Sequence, residues 1–487
     1  MLLKFKFTLL FYFNHKRYKK FELHESLLPS LAIIPIFSNF ALLPVPILTT
    51  IMKKLIIFGI LYLLFLPTIL MAQNNVNIKV FPEINKQKIE AIGGNYCMAR
   101  FSNNAWDAIG GETLKQFRPT NVRVALPMTF RNQEYSSFKG NLIAEQPLVI
   151  SLYDAMKRMK TEFGVKSFIV SVWDVPNELV QNPDNRNQRI VKPESYDEVI
   201  DMLVAFLVKA KNDYGVEVDY FSFNESDGGW QVIFTPQQTI AFIKKAMARF
   251  EAAGLKTKFL LADTAQTLGT VEFATMIMSD STIWKHLGPL SFHCWWSENI
   301  PDSEFERVAA LGKALNKPVW CCELGFDAEA HKIKGMAQTW EYALRFAKIA
   351  HRMFKYGEVE VSMYWTWQND YAIMSTDLKT MYPSYYITKH MVDYLTAGTQ
   401  LVHSLSSDKE ILSLSGIQAD GNRILQIINL KKEAVSIVIE GWESPSVDVV
   451  TTTSTENWEI QKNATLTKNS KTTLVLKPES VNTLILN

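Results

Sequence analysis

DYFSFNESD, running from Asp219 to Asp227, decides how the rest of the chain is read. Its start, Tyr220 to Phe223, is short, apolar and aromatic and is bounded by turn formers, the signature of a buried strand. At the C-terminal end it delivers Asn224 and Glu225, a polar pair that burial alone does not call for. Further along, PVWCCELGF (318–326) repeats the pattern, a short apolar strand ending in Glu323. Two strands that each carry a glutamate to their C-terminal end suggest a common rim.

The surrounding pattern supports that rim. From Ala91 to about Leu395, apolar strands alternate with amphipathic stretches. The strands are AIGGNYC, NVRVALPM, SFIVSVWDV, YFSFNES, KFLLADTAQ, PLSFHCWW, PVWCCELGF and VSMYWTWQND, eight in all. Between them lie runs of helical period such as SLYDAMKRMKTEFG, SYDEVIDMLVAFLVKAKNDYG, PQQTIAFIKKAMARFEAAG and WEYALRFAKIAHRMFKYG. Gly164, Gly215, Gly254 and Gly357 follow the helix ends, and Thr235, Pro236 and Gln238 supply an N-cap, a first-turn proline and a capping box. Eight βα units imply a closed (β/α)8 TIM barrel, whose chemistry lies at the C-terminal ends of the strands.

Either side of the barrel the period changes. VNIKVFPEINKQKIE (76–90) alternates as one or two strands. After Gly398 the runs LVHSLSS, ILSLSGIQA, RILQIINL, AVSIVIEGW, SVDVVTTTS and TTLVLKPESVNTLILN alternate between turn residues. The expected organisation is N-terminal strands over 73–90, a catalytic barrel over 91–397 and an antiparallel β-sandwich over 398–487 that draws on both termini of the mature chain.

Residues 1–72 differ in composition. Met52 to Gln73, MKKLIIFGILYLLFLPTILMAQ, has a basic start, an apolar run and a small residue at Ala72, as in a secretory signal peptide. Residues 52–72 are read as that signal and 1–51 as upstream leader sequence, so the protein is expected to be secreted, to the periplasm or beyond. The other reading, a membrane anchor, is opposed by the shortness of the run and the lack of a basic stop-transfer cluster. No lipidation cysteine stands near Ala72, and no membrane span is expected in the mature chain.

The whole chain of 487 residues carries 51 Lys and Arg against 49 Asp and Glu. Without residues 1–72 the balance is 43 basic to 47 acidic, a net charge of minus four. The basic character belongs to the leader, so no electrostatic case for nucleic acid remains. Cys97, Cys294, Cys321 and Cys322 lack zinc-type spacing, and neighbours in a strand point to opposite faces. They are read as buried thiols, with no metal and no cofactor.

Six tryptophans fall at or near strand ends: Trp173, Trp230, Trp295, Trp296, Trp365 and Trp367. Each alone could be core. Together on one rim they suit pyranose rings, whose C–H faces stack on aromatics while their hydroxyls need polar partners. Glu225 and Glu323, three strands apart in a ring, can face one another, and glycoside cleavage needs such a pair. Asn177-Glu178 is a second Asn-Glu pair, but it follows Pro176 beyond the expected end of strand three and is read as a loop pair.

On these residues the chain resembles clan A glycoside hydrolases, family 30 in particular. The resemblance rests on the Asn-Glu ending strand four, the Glu ending strand seven and a barrel joined to a sandwich from both ends. IEAIGGNY, VSVWDVPNELV, SFHCWW, YWTWQND, MYPSYYITKHMVDYL and the closing KTTLVLKPESVNTLIL support it in order, across nearly all of the mature chain.

The resemblance implies a retaining β-glycosidase acting on a polysaccharide or oligosaccharide such as xylan or β-glucan. Glu225 would be the general acid/base and Glu323 the nucleophile, with Asn224 on the sugar 2-hydroxyl. A retaining pair should lie roughly 5 to 5.5 Å apart, and a partly desolvated aromatic site should help the acid keep its proton. Arg123, inside strand two, needs a carboxylate partner; family analogy suggests Glu323, and a structural inter-strand ion pair is the alternative. His293 would orient a carboxylate or a sugar hydroxyl, or else be a satisfied core histidine. The substrate-binding set is thus Asn224, Arg123, His293, Trp173, Trp230, Trp295, Trp365 and Trp367.

The strand-one GGNYC and strand-three DVPNE stretches depart from the family pattern. The loop from Gln368 to Tyr382 has no arginine, which points away from strict glucuronoxylanase action. Two rival readings are a noncatalytic carbohydrate-binding barrel and a metal-assisted hydrolase using His293 and Asp263. A monomer is the simplest expectation.

Overall fold

The computed structural model describes residues 75–486, apart from 101, 130–133, 229–230, 369–370, 443, 445 and 466–471. The leader and signal expected over 1–72, and Trp230, lie outside the described residues. Among the described residues no helix is long and apolar enough to cross a membrane.

Eight parallel strands close into a barrel in chain order: Ala91–Tyr96, Asn121–Ala125, Ser167–Val172, Tyr220–Phe223, Lys258–Thr264, Leu287–His293, Val319–Leu324 and Val361–Tyr364. They are numbered one to eight below. Strand eight pairs with strand one and strand seven with strand six, so the ring has no edge. The floor of the barrel is apolar, filled by Ala91, Ile169, Leu260, Trp320, Cys322, Val361 and Met363. The larger core lies between strands and helices. Cys321 joins that outer core while Cys322 joins the floor, as alternation along a strand requires. All four cysteines are buried and free.

The helices begin and end where the sequence signals say. Thr235 and Gln238 form the reciprocal capping box of helix Pro236–Ala252. Gly164, Gly215 and Gly254 take the left-handed conformation after helix ends. Gly357 does not. It is needed for space, because a Cβ there would meet the Met353 carbonyl oxygen at 2.7 Å.

A curled sheet of nine strands, mostly antiparallel, forms the second layer of the molecule. Val76–Lys88, a single bulged strand, enters its middle, antiparallel to Gln400–Ser406 and parallel to Val435–Glu440. The described architecture is therefore a TIM barrel with an appended β-sandwich built from both sides of the barrel sequence.

The eight strands are shorter than their apolar patterns. Strand four ends at Phe223, strand three at Val172 and strand eight at Tyr364. The residues immediately beyond, released from the ladder, are the ones that line the rim.

Candidate active site

The site is built upward from polar residues set into apolar strands above the floor. Asn95 in strand one, Arg123 in strand two, Ser171 in strand three, Ser222 in strand four and Asp263 in strand five are all buried. A guanidinium in that position needs partners, and its two terminal nitrogens have them, while Nε has none among the described residues. Arg123 Nη1 donates to Glu323 Oε1 at 2.6 Å and to Asn95 Oδ1 at 3.0 Å. Its Nη2 donates to Asn224 Oδ1 at 2.7 Å, to Ser171 Oγ at 2.9 Å and to Asp263 Oδ2 at 3.3 Å. Burial works against the Arg123 charge, but Asp263 and Glu323 overcome it and hold the guanidinium above its usual value.

Glu323 stands on strand seven opposite His293 of strand six, with an irregular register between Cys321 and Glu323 that re-aims the carboxylate. Both of its oxygens are engaged. Oε1 takes Arg123, and Oε2 accepts from Trp295 Nε1 at 2.8 Å and lies 3.4 Å from His293 Nδ1. Burial, with nearby Glu225 adding to it, holds the Glu323 carboxyl above its usual value, against the opposing pull of His293, Arg123 and the Trp295 hydrogen bond.

Glu225 lies just past strand four, in the left-handed region at φ 49°. Such a backbone is uncommon for a non-glycine residue. His293 Nδ1 donates to its Oε1 at 3.0 Å. His293 Nε2 faces Asp263 Oδ1 at 3.4 Å, an ion-pair contact longer than a formed hydrogen bond. Burial opposes the His293 cation, yet Glu323, Asp263 and Glu225 raise it to about 10. Asp263 shows the converse: burial would raise it, and Arg123 and His293 hold it well below the usual carboxylate range, helped by Ser222 Oγ at 2.6 Å.

One oxygen of Glu225, one oxygen of Glu323 and a His293 ring nitrogen all lie within 4.8 Å of one another. Three such atoms could hold a cation in principle. In this arrangement the imidazole is held toward its protonated form by the carboxylates around it, so a cation would have to displace that proton to bind.

The other expected residues divide. Trp295 is at the site, but as a hydrogen-bond donor to Glu323. Trp173 and Trp365 meet at 5.8 Å beside it, with the Arg123 guanidinium 4.6 Å from the Trp173 ring. Trp367 is a correction. Expected on the sugar-binding rim, it is fully buried against Tyr96 and Phe117, and its ring fills the space over Gly94, where a Cβ would come within 2.4 Å of it. The apolar ring was worth more to the packing of strand one than to the cleft. Trp296 is 46% exposed. Asn177-Glu178 stays off the site: Asn177 Oδ1 accepts from Arg189 Nη1 at 2.6 Å, and Glu178 is exposed.

Asn95, Ser171, Ser222 and the structural part of Asp263 escaped the sequence reading. Their signal was available: each is a polar side chain inside an otherwise apolar barrel strand.

No protein-family model and no curated protein matches this chain. Solved structures do. A family 30 endoxylanase from Clostridium papyrosolvens C71 aligns with a TM-score of 0.66 at 18% identity, over 85% of this chain and 100% of the other. A family 30 subfamily 8 xylanase from Clostridium acetobutylicum gives 0.68 at 16% identity, over 85% and 100%. An endo-β1,6-glucanase gives 0.60 at 14% identity, over 85% and 95%. The chain has the fold of the family 30 glycoside hydrolases, barrel and side sandwich together.

Proposed function

We propose that this protein is a retaining β-glycosidase that hydrolyses a β-linked polysaccharide or oligosaccharide, of the xylan or β-glucan kind, by double displacement. The observation that carries the reading is the approach of Glu225 and Glu323 oxygens to within 4.8 Å. So close an approach of the two oxygens supports a retaining pair, whose carboxyl groups stand about 5–5.5 Å apart, over an inverting pair at about 6.5–9.5 Å.

In the first step a Glu323 oxygen attacks the anomeric carbon, the glycosidic C–O bond breaks, and the leaving oxygen takes a proton from Glu225. Water then attacks the glycosyl-enzyme, giving its proton back to Glu225 and releasing Glu323. Glu225 Oε1 accepts from His293, so Oε2 is the oxygen placed to carry the transferred proton. Asn224 is fixed with Oδ1 on Arg123, which leaves its amide nitrogen as a donor for a sugar hydroxyl. Trp173 and Trp365 supply apolar faces for the ring.

The folds of a xylanase and a β1,6-glucanase flank the choice of glycan. Export of the chain, as the Met52–Gln73 segment suggests, suits a polymeric substrate.

The test uses aryl β-glycosides and a polysaccharide panel with wild type, Glu225→Gln and Glu323→Gly. Glu225→Gln is expected to slow turnover about 10²–10⁴-fold on substrates with poor leaving groups. Glu323→Gly is expected to be inactive and to regain turnover with azide, yielding a glycosyl azide of inverted anomeric configuration. Near-normal turnover by Glu323→Gly without azide would sink the assignment.

A further inference from the structure

A cavity of about 840 Å³ opens between the barrel helices and the sandwich, lined by none of the catalytic residues. Helix Trp340–Lys355 follows strand seven and runs back from the rim, so its last turn, with Lys355, lies toward the opposite end of the barrel. Lys348, Arg352 and Lys355 stand three and four residues apart on one face of this helix and all line the cavity.

Their partners differ. Arg352 is committed, to Asp302 at 2.5 Å and to the carbonyl oxygens of Ser297 and Glu298 at 2.8 and 3.0 Å. Among the described residues Lys355 donates only to Ser413, to its carbonyl oxygen at 2.9 Å and its hydroxyl at 3.5 Å. No carboxylate among them lies within ion-pair distance of Lys348, Lys355 or Lys409; Glu298, Asp302, Glu358 and Asp408 are paired with other cations, and Glu306, which also lines the cavity, stands without a cation partner among them. His351, 5% exposed, also lines the cavity; its Nε2 meets the Ser413 carbonyl at 3.0 Å and its Nδ1 has no hydrogen-bond partner. A half-buried lysine without a counter-ion is costly unless an anion or water meets it; the His351 nitrogen is closed to the cavity and does not bear on its occupant.

We propose that this cavity is a second carbohydrate site, separate from the cleft, that binds an acidic sugar through an oxyanion met by Lys348, Lys355 and Lys409. The cavity is far too large for a bare ion and falls in the range of small-molecule pockets, about 300–1,000 Å³. Tyr356, His403 and Leu405 offer ring and apolar faces beside the lysines, the combination that sugars use. The choice of a sugar among anionic ligands rests on the glycosidase reading, since a second site on the flank would hold an acid-bearing branch of the polymer that the cleft cuts, an acid-substituted xylan rather than a neutral β-glucan. Burial holds Lys355 down to about 8, and an anion beside it would relieve that cost.

Calorimetry on full-length Glu225→Gln, with glucuronic acid, trigalacturonate, glucose 6-sulfate, glucose and sodium sulfate as probes, tests this without dependence on hydrolysis. Acidic sugars are expected to bind, more weakly as salt rises, and glucose is not. The two acidic arms tell a carboxylate from a sulfate ester as the preferred oxyanion. Added Lys348→Gln or Lys409→Gln, both on accessible side chains, should weaken binding about tenfold, and Lys355→Met should do so if it melts as a folded protein. Sulfate binding as well as the acidic sugars would overturn the sugar assignment. Affinities unchanged by Lys348→Gln and Lys409→Gln would overturn the site. Turnover of neutral aryl glycosides by the same lysine variants in the wild-type background, expected to be unaltered, separates this proposal from the fate of the catalytic reading.

Discussion

Trp295, two residues past the end of strand six, and Glu323 of the neighbouring strand seven are tied by a hydrogen bond of 2.8 Å from the indole nitrogen to Oε2. Gly325 makes the bond possible. A Cβ at that position would come within 2.6 Å of the Trp295 ring. Trp295→Phe keeps most of the apolar surface and removes the donor, so a net loss of about 1.5–3 kcal/mol is expected for a hydrogen bond to a charged group. If it is felt in the transition state, kcat/KM on aryl glycosides falls about 10–100-fold. Gly325→Ala should produce a similar fall without touching the donor itself. Full activity in Gly325→Ala would show that the ring position is not what orders Glu323.

Asp263 and Arg123 form the base of the site, and neither is reached by solvent. Asp263→Asn keeps the shape but removes one of the two carboxylates that offset the guanidinium. Breaking a buried pair in this way costs about 3–5 kcal/mol. Because Arg123 also holds Glu323, Asn224, Asn95 and Ser171, Arg123→Met should cost a comparable amount, and the double variant less than the sum of the two. Denaturant unfolding of the three proteins checks it; strict additivity would mean that the two side chains do not act as a unit.

The same packing logic governs Trp367. Gly94→Ala would push a methyl into this buried ring, and overpacking of that kind costs about 1–3 kcal/mol. A lower denaturation midpoint is expected, with little change in KM, because Trp367 packs behind strand one. A raised KM at unaltered stability would return Trp367 to the sugar-binding rim.

These residues also mark how far the sequence could be read. The barrel was legible because eight apolar runs alternate with helical ones, and the sandwich because its period switches to two. Glu225 and Glu323 were legible as charges at the ends of strands that had no packing use for them. Trp367 was misleading for a physical reason: an indole can serve equally as core filler or as sugar platform, and only the Gly94 backbone beneath it decides. Asn95, Ser171 and Ser222 showed only as polar side chains in apolar strands, and a single polar residue in a strand says nothing about which strand it will meet. Their meaning appears when ring closure turns five strands toward one guanidinium.

His293 carries the clearest pH dependence. Its ordinary value of 6.5 is raised to about 10 in the folded protein by the surrounding carboxylates, against the effect of burial. A raised folded value means that the cation stabilises the native state: the contribution is complete below about pH 6.5 and is lost as pH climbs through about 10. Lys355 works in the opposite direction, since burial lowers it to about 8 and its cost is relieved as pH rises toward its ordinary 10.5. That effect is shared by wild type and His293→Gln and cancels in their difference. The gap in unfolding free energy between the two proteins should therefore shrink steadily from about pH 7 to pH 10, followed by urea midpoints across that range. A gap that stays constant, or widens, would mean that His293 is neutral in the native protein, and the imidazolium between Glu225, Glu323 and Asp263 would have to be abandoned.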